Sequence, residues 1–566
     1  MFSTLVSTVK WAGSGGKKSE RKKQAVGVPI VLTASFVEMS DFNLNPFIAF
    51  TGGFPSKIFP KRLLRKYWYP ITPSEEDGRA KFAPYGLRKI EALLGEEFGE
   101  ENVATCTPQN LNKFVGPNTK AIGISTMDPL GIGFVSRTYT SLVAIGGEPI
   151  AANEFRHLMR HPKLKKKKRG YKVIVGGSGA WQILGGNMQD EFKIDTVIIG
   201  EADRVALEIF HKVMRGEKLP KVVRTKKPKV EEIPTITKPA LFGVAEITRG
   251  CGKGCQFCSP TMRTFYSFPL EKIRKEAELN VRAGSKMVVL QTDDIFLYEH
   301  HERFVPNREA IVELVNAVGK IEGIEYLQPA HAALPPAVHD PRMIEEIAPV
   351  LVEKGRWQCR GRKVASIEVG IETGSVRLME KYMKGKALPL DVRDWPEIVT
   401  QAVGIFNDND ICPLATLVVG LPEEREEDTI ATMELVDDLW GSEIFYVPLF
   451  FTSEEECLLS SARQADLRHL NELHWEFFAT CWRHNINVWG TDFHRKVWLA
   501  SALLYPIYYR WKHGSKIKKA IRIFGGFDDG SKQKEPAEAV LVHGQKRKMK
   551  GSFTCPSPSR KWPSAQ

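Results

Sequence analysis

The sequence lacks the features that mark exported and membrane-spanning proteins. The first 24 residues are basic but contain no apolar core followed by small residues, so no secretory signal is predicted. The longest apolar stretch near the end, residues 497–509, is shorter than the ~20 residues that cross a bilayer, and it contains Pro506. We therefore expect a cytoplasmic protein without a transmembrane helix.

Cysteine is also scarce. The chain has 9 cysteines, and three of them occupy one loop. A disulfide framework would pair closely spaced cysteines, and an auxiliary metal cluster would need a second group of them. We expect neither, because the other six are scattered without a second motif: Cys106, Cys359, Cys412, Cys457, Cys481 and Cys555.

Positive charge exceeds negative charge, and the net charge is +13. The excess is concentrated in residues 163–169, 226–229 and 546–550, beside Pro or Gly. Such a surface attracts polyanions, but no aromatic residues are interleaved with the basic runs as a platform for stacking bases. A solvated surface is the favoured interpretation, and RNA binding is the alternative.

With 566 residues, the chain is long enough for several domains. Residues 28–215 contain short apolar runs with high β propensity, separated by helical patterns such as 85–98 and 136–145. This alternation predicts an α/β domain with a doubly wound, Rossmann-like parallel sheet. The predicted strands are 29–34, 102–105, 120–125, 172–177 and 195–200.

Three loops at the carboxyl ends of these strands are candidate ligand contacts, because ligands bind at that edge of such sheets. Glycine lets a backbone approach a ligand closely, and small hydroxyls can form hydrogen bonds. The same residue types are also typical of tight turns, so that interpretation stays open. The candidate residues are Ser125, Thr126, Gly176, Gly177, Ser178, Gly200 and Glu201.

Residues 216–242 are rich in Pro and Lys, which predicts a linker. Strand and helix patterns then alternate again to residue 455, with strands predicted at 243–248, 287–291, 325–327, 366–370, 415–419 and 444–447.

Residues 456–528 are predicted to be helical, with many aromatic and basic residues. The run 497–509, followed by basic residues, is typical of a helix packed on the neighbouring domain or, alternatively, of one lying in a membrane interface. The alternative implies a peripheral contact with the inner face of the membrane. Residues 1–27 and 529–566 are predicted to be a flexible basic segment and a disordered tail.

Cys251, Cys255 and Cys258 have C-x3-C-x2-C spacing on a glycine-rich loop. Three thiolates on a four-iron cluster leave one iron open to a substrate's amino and carboxylate groups, whereas four-cysteine clusters mainly transfer electrons. A structural zinc loop is the alternative, but zinc would want a fourth Cys or His, and none follows Cys258 for many residues. The spacing therefore favours catalysis.

With Phe257 directly before the third cysteine, the loop resembles the signature loop of the radical S-adenosylmethionine (radical SAM) enzymes. The resemblance implies a partial (β/α)6 barrel over residues 243–455, a [4Fe-4S] cluster on the three cysteines and S-adenosylmethionine at the open iron. It also implies a reductant such as ferredoxin or flavodoxin, cleavage of S-adenosylmethionine and hydrogen abstraction from an unactivated carbon.

The same resemblance implies that barrel residues at the carboxyl ends of strands bind S-adenosylmethionine. The second-strand residues would contact the methionine amino group, Glu372 and Ser375 the ribose and methionyl groups, and Gly420 the adenine. Glu423 replaces the final glycine of the family's Gly-Leu-Pro-Gly pattern. For Asp294 and Glu423, a charge at a helix N-terminus is the alternative role. The implied residues are Phe257, Gln291, Asp293, Asp294, Glu372, Ser375 and Gly420.

A doubly wound domain directly before such a loop resembles the cobalamin-binding domain of B12-dependent radical SAM proteins, and the archaeal members most. The seven loop residues named above would then frame the corrin ring. The D-x-H-x-x-G motif that supplies a histidine to cobalt is absent, so no histidine is expected below the metal.

The resemblance implies methylation of an sp3 carbon. Two alternatives stay open: radical C–C bond formation or cyclisation on archaeal tetraether lipids, and a non-catalytic iron-sulfur or cobalamin sensor that binds RNA. A tRNA methylthiotransferase is disfavoured, because those enzymes carry further cluster cysteines in the amino-terminal domain, where this chain has only Cys106.

Overall fold

The computed structural model describes residues 26–57, 60–142, 148–165, 170–466 and 470–489. Its first part is a six-stranded sheet in the order β2-β1-β3-β4-β5-β6, with every neighbouring pair parallel. The strands are β1 Ile30–Ala34, β2 Val103–Thr105, β3 Ala121–Ser125, β4 Lys172–Gly176, β5 Thr196–Ile199 and β6 Val222–Arg224.

Helices cover both faces of this sheet because its strands are apolar on both sides. In β1, Ile30 and Leu32 pack into one core and Val31 into the other. The doubly wound α/β prediction is therefore confirmed. The helices are α1 Lys61–Leu63, α2 Tyr85–Phe98, α3 Leu111–Phe114, α4 Phe134–Leu142, α5 Ile150–Met159, α6 Gln182–Gly185, α7 Met188–Glu191 and α8 Ala206–Met214.

The segment 216–242 does more than connect two domains. Its residues Val222–Arg224 form β6, which extends the sheet by pairing with β5. Arg224 also bonds to Glu455, 2.5 Å from Nη2 to Oε1, at the end of the barrel. A three-residue strand between Lys and Pro residues has too short an apolar pattern to be detected in the sequence.

The second part is an open barrel of six parallel strands. β11 and β12 are one strand interrupted at Ala330, whose N–H donates to Leu290 O and whose carbonyl accepts from Glu368 N. The partial (β/α)6 architecture is thereby confirmed. The strands are β7 Ala245–Glu246, β8 Thr248–Arg249, β9 Tyr266–Ser267, β10 Met287–Gln291, β11 Tyr326–Pro329, β12 His331–Ala332, β13 Trp357–Cys359, β14 Arg362–Glu372, β15 Ile411–Val419 and β16 Phe445–Phe450.

Crossover helices surround the barrel, and its interior belongs to one large buried core. β13 and β14 form an antiparallel hairpin, as do β8 and β9. The helices are α9 Leu270–Arg282, α10 Arg308–Gly319, α11 Pro335–His339, α12 Pro341–Glu353, α13 Val376–Tyr382, α14 Trp395–Asp408, α15 Glu426–Asp438 and α16 Glu472–Trp489.

The last described helix, α16, packs against the barrel through Phe477, Phe478 and Cys481. The rest of the predicted helical region, including the run 497–509, and the tail lie outside the described residues. Within the described ranges, no helix combines the length and the apolar character needed to cross a membrane.

Candidate active site between the two domains

The three cysteines lie on the loop that joins β8 to β9. Gly250, Gly252 and Gly254 all have positive φ, at 77°, 73° and 81°, a conformation that glycine adopts readily. Burial raises the pKa of the Cys258 thiol, and negative charge on Cys255 and Cys251 raises it further. The three thiols are thus close enough to interact electrostatically. Three soft donors grouped in this way fit an iron-sulfur cluster.

Lys253, between the first two cysteines, anchors the loop to the barrel. Its Nζ lies 2.7 Å from Asp294 Oδ2, and both side chains are buried. A Cβ at Gly385 would lie 2.0 Å from the Lys253 carbonyl oxygen, so these two segments touch through their backbones. Gln256 N also donates to Tyr382 O at 2.9 Å. The loop is therefore fixed by both β10 and the α13 region.

A second lysine lies beside the cysteines. Lys386 Nζ donates to Glu372 Oε1 at 2.7 Å. Burial raises the pKa of Cys255, and the Lys386 ammonium opposes that rise. Burial also raises the pKa of Cys251, to about 11, against the opposing charge of Lys253. Each lysine thus favours the thiolate form that a metal ligand requires.

Gly370 makes room for the Glu372–Lys386 pair. A Cβ there would lie 2.1 Å from Glu372 Oε1 and 2.4 Å from Lys386 Nζ. The β14–β15 register shifts between Gly370 and Glu372, and Glu372 itself has φ of 63°. Irregular backbone of this kind often aims a side chain at a functional site.

Asp293 and His331 form a titratable group at the carboxyl ends of β10 and β12. Burial raises the pKa of Asp293, although Arg263 and His331 oppose this. Burial alone would lower the pKa of His331, but Glu368 and Asp293 raise it above its ordinary value. His331 Nε2 lies 3.5 Å from Glu368 Oε2. These groups can hold and exchange a proton inside the barrel mouth.

The residues implied to bind S-adenosylmethionine divide into two groups. Gln291, Asp293 and Glu372 lie where β10 and β14 end, on the side of the cysteine loop. Phe257 is partly buried against the barrel core. The remaining three are Asp294, Ser375 and Gly420, and each of them, like Glu372 with Lys386, already has a partner within the protein.

Asp294 Oδ1 accepts from Phe296 N and Ala333 N, at 3.1 and 2.9 Å, in addition to the Lys253 pair. Ser375 caps α13 and donates to Asp428 Oδ1 at 2.5 Å. A Cβ at Gly420 would lie 2.5 Å from Ala465 Cβ, so this glycine permits contact with a neighbouring loop. The capping alternative for Asp294 therefore has a structural basis.

Ion pairs join the barrel to the amino-terminal domain directly before the cysteines. Arg249 binds Glu246 through two hydrogen bonds of 2.8 Å. Its Nη1 reaches Glu201 Oε2 at 2.6 Å and Asp203 Oδ2 at 3.3 Å in the loop after β5. Lys89 of α2 also pairs with Glu246. Burial would raise the pKa of Glu246, but Lys89 and Arg249 lower it to about 2.

A cavity of 540 Å³ lies between the two domains. One part of its lining is charged or polar: Glu246 and Arg249 come from the barrel strands, and Ser259, Met262 and Arg263 from the loop that carries the cysteines. Another part is apolar and lies between the sheet and helices α2 and α8, lined by Leu32, Leu87, Ile90, Ile174, Ile198 and Phe210. The cavity thus offers a polar end and an apolar end to a ligand.

Gly123, in the centre of β3, lies at the apolar end. A Cβ at this position would be 2.6 Å from Leu32 Cδ2 and 3.5 Å from Phe210 Cζ, both of which line the cavity. The missing side chain therefore keeps this space open.

Of the seven candidate residues of the amino-terminal domain, six line this cavity: Ser125, Gly176, Gly177, Ser178, Gly200 and Glu201. Thr126 does not; it is buried, and its hydroxyl donates to Glu38 Oε1 at 3.2 Å. The glycine at position 177 is also explained by packing alone, because a Cβ there would lie 2.5 Å from Thr126 O. The ligand and turn interpretations therefore both apply to this edge.

Sequence reasoning missed Lys253, Lys386, Arg249 and His331. Lys253 stands between two glycines inside the cysteine motif, so its position in the sequence could have indicated a role at the site. The other three are recognisable only through partners that are brought close by the fold, such as Arg249 and Glu201.

Residues 245–436 match the family model of the radical SAM superfamily, and they form a radical SAM domain. The tRNA-2-methylthio-N(6)-dimethylallyladenosine synthase of Fusobacterium nucleatum is 24% identical over 287 residues, 48% of this chain and 59% of that protein. The ribosomal protein uS12 methylthiotransferase of Flavobacterium psychrophilum is 27% identical over 206 residues, 36% of this chain and 42% of that protein. The chain thus spans about half the length of the curated relatives it matches.

Among solved structures, the chain is similar to the radical S-adenosylmethionine methyltransferase TsrM from Kitasatospora setae with cobalamin and a [4Fe-4S] cluster bound. The identity is 12% and the TM-score 0.49, over 77% of this chain and 74% of that one.

Proposed function

We propose that this chain is a cobalamin-dependent radical SAM enzyme that methylates an unactivated sp3 carbon. The observation that carries the proposal is the cavity that joins the cysteine loop to the carboxyl edge of the amino-terminal sheet. When bound, the cluster, S-adenosylmethionine and cobalamin together supply hydrogen abstraction from carbon and transfer of a methyl group.

In this proposal Cys251, Cys255 and Cys258 hold the cluster. Lys253 and Lys386, whose positive charges oppose the high pKa values of the thiols, favour thiolate ligands. Gln291, Asp293 and Glu372 would orient S-adenosylmethionine at the barrel mouth. Asp293 faces His331, which supplies a proton site beside the bound cosubstrate.

The shape and lining of the cavity support cobalamin as its ligand. Cobalamin combines a large ring with amide side chains and an apolar heteroaromatic arm. The hydroxyls of Ser125 and Ser178 and the charged lining residues suit the amides, whereas the apolar end beside Gly123 suits the arm. None of the described residues that line the cavity is a histidine, and the proposal does not assign a histidine ligand to the cobalt.

Methylthiolation, the activity in the names of the curated relatives, is the second candidate. Methylthiotransferases carry further cluster cysteines in the amino-terminal domain. Cys106 is the one cysteine before Cys251, and it is fully buried in the core beneath the sheet. Burial raises the pKa of its thiol. These facts favour methylation. The lipid alternative depends on residues outside the described ranges and stays a prediction.

An anaerobic product analysis tests the proposal. The full chain, reconstituted with iron, sulfide and cobalamin, is reduced and supplied with methyl-labelled S-adenosylmethionine and fractionated cell extract. Methylation predicts S-adenosylhomocysteine and 5'-deoxyadenosine together, and label in a protein or small-molecule fraction. Label in a thioether would support methylthiolation. 5'-Deoxyadenosine without S-adenosylhomocysteine, with changed lipids, would support cyclisation, and absence of bound cobalamin would contradict the proposal.

A further inference from the structure

The opposite end of the barrel from the cysteine loop holds a second group of potential metal ligands. The sulfur atoms of Cys359 and Cys412 and a carboxylate oxygen of Glu443 all lie within 4.8 Å of one another. All three residues are buried. The proposed active site uses none of them. We propose that Cys359, Cys412 and Glu443 bind one Zn²⁺ ion that fixes the amino ends of the barrel strands.

Three separate segments converge at this point. Cys359 ends β13, Cys412 is the second residue of β15, and Glu443 lies in the turn before β16. Arg360 and Gly361, with φ of 46° and 79°, form a two-residue turn that brings β13 back along β14 and pairs Cys359 with Arg362. The backbone therefore brings the three donors together.

The donor set suits zinc. Two thiolates and one carboxylate are ordinary zinc ligands, and Zn–S bonds of about 2.3 Å put tetrahedral donors about 3.8 Å apart, so only small shifts are needed. Cys412 Sγ lies 3.6 Å from Glu443 Oε2. The Val488 carbonyl oxygen of α16 is 3.9 Å from Cys359 Sγ and offers a fourth donor.

The surroundings of Glu443 resemble the outer shell of a metal site. Its other oxygen, Oε1, accepts from Arg362 Nη2 at 2.8 Å, which leaves Oε2 directed at Cys412. Metal-binding carboxylates are commonly held by such outer hydrogen bonds.

The charge balance is also favourable. Arg360 and Arg362 offset Glu443 and Asp410, so the cluster is neutral when both thiols are protonated. Binding of Zn²⁺ releases the two thiol protons to solvent, and a dication with two thiolates adds no net charge. A neutral buried site avoids the large cost of an uncompensated charge.

Metal analysis of the full chain tests this inference, independently of the proposed activity. Protein purified anaerobically from zinc-containing medium should hold about one zinc per chain besides its cluster iron. The zinc content of the double variant C359S/C412S should be at least tenfold lower than that of the wild type, whereas its iron and sulfide content should be unchanged. Cys481→Ser is the matched control, because Cys481 is also fully buried, on α16, and should keep the zinc. Zinc-free wild-type protein, or zinc unchanged in the double variant, would overturn the proposal.

A second measurement needs no variant. Chelation of the wild-type protein should lower its melting temperature and expose Cys359 and Cys412 to alkylation, while Cys481 stays protected. A disulfide between Cys359 and Cys412 in the anaerobically isolated protein, found as linked peptides by mass spectrometry, would overturn the zinc site in favour of a redox pair.

Discussion

Lys253 and Asp294 form a buried ion pair, 2.7 Å from Nζ to Oδ2, that connects the cysteine loop to the end of β10. Asp294 also accepts two backbone N–H groups, from Phe296 and Ala333. One carboxylate therefore links the loop to two barrel strands. The pair positions the cysteines. Of the residues at the end of this strand, Gln291 and Asp293 are the ones proposed to contact the cosubstrate.

Replacing Lys253 with Met should destabilise the barrel by about 3–5 kcal/mol, because it leaves the Asp294 carboxylate buried without its partner. The iron content per chain of this variant should also be lower than that of the wild type. The double variant K253M/D294N removes both charges and should recover part of the thermal stability. Thermal unfolding and iron and sulfide analysis measure both effects. Wild-type values for K253M would contradict the role given to this pair.

Gly385→Ala should reduce cluster retention while leaving the barrel folded. The new Cβ would lie 2.0 Å from the Lys253 carbonyl oxygen, so the cysteine loop must move away. Gly404→Ala is the matched control, because no atom lies within 4 Å of its Cβ position in α14. Alanine there should stabilise the helix by about 1 kcal/mol. Equal iron content in both variants would show that the loop does not depend on this contact.

Gly176→Val should abolish cobalamin binding without loss of iron. Gly176 lines the cavity, and its Cβ position meets nothing nearer than Ile198 Cβ at 3.8 Å, so a side chain can enter the cavity without a clash. Gly185→Ala, in a helix of the same domain and away from the cavity, should bind normally. Cobalamin content after reconstitution, read from its absorbance, tests this. Normal content in G176V would place the cofactor elsewhere.

Glu38 should make stability depend on pH near neutrality. Burial raises its pKa from 4.5 to about 7, despite hydrogen bonds from Met127 N and Thr126 Oγ1. A carboxyl group with a raised pKa in the fold binds its proton more tightly there, so its contribution to stability declines as pH rises from about 4.5 to 7. The melting temperature of E38Q relative to wild type should therefore increase over that range. The exposed Glu345→Gln control should show no such trend.

Strands such as 121–125 and 287–291 could be predicted from sequence because they are largely apolar runs of five residues. β6 could not, because its two valines stand inside a Pro- and Lys-rich segment that the sequence marks as a linker. Glu423 shows a different limit. Its φ of 58° lies in the left-handed region that glycine favours, so a non-glycine residue here adopts a conformation that its identity does not indicate.

The candidate site was predictable where residues are close in sequence, as in the cysteine motif. Its ion pairs were not, because Lys89 and Glu246 or Arg249 and Glu201 are distant in sequence and only the packing of the two domains brings them together. Residues such as Ser375 and Gly420 show the converse. Their position at strand ends is compatible with ligand binding, yet their contacts are with Asp428 and Ala465.

The most direct test of the proposed function is the product ratio of the reduced, cobalamin-loaded enzyme with methyl-labelled S-adenosylmethionine and a substrate fraction. We expect S-adenosylhomocysteine and 5'-deoxyadenosine to form in parallel, and label to appear on substrate carbon. Both products should disappear in C255A, whereas G176V should lose S-adenosylhomocysteine and substrate label. Labelled substrate formed equally by G176V, or by wild-type protein without cobalamin, would contradict the account.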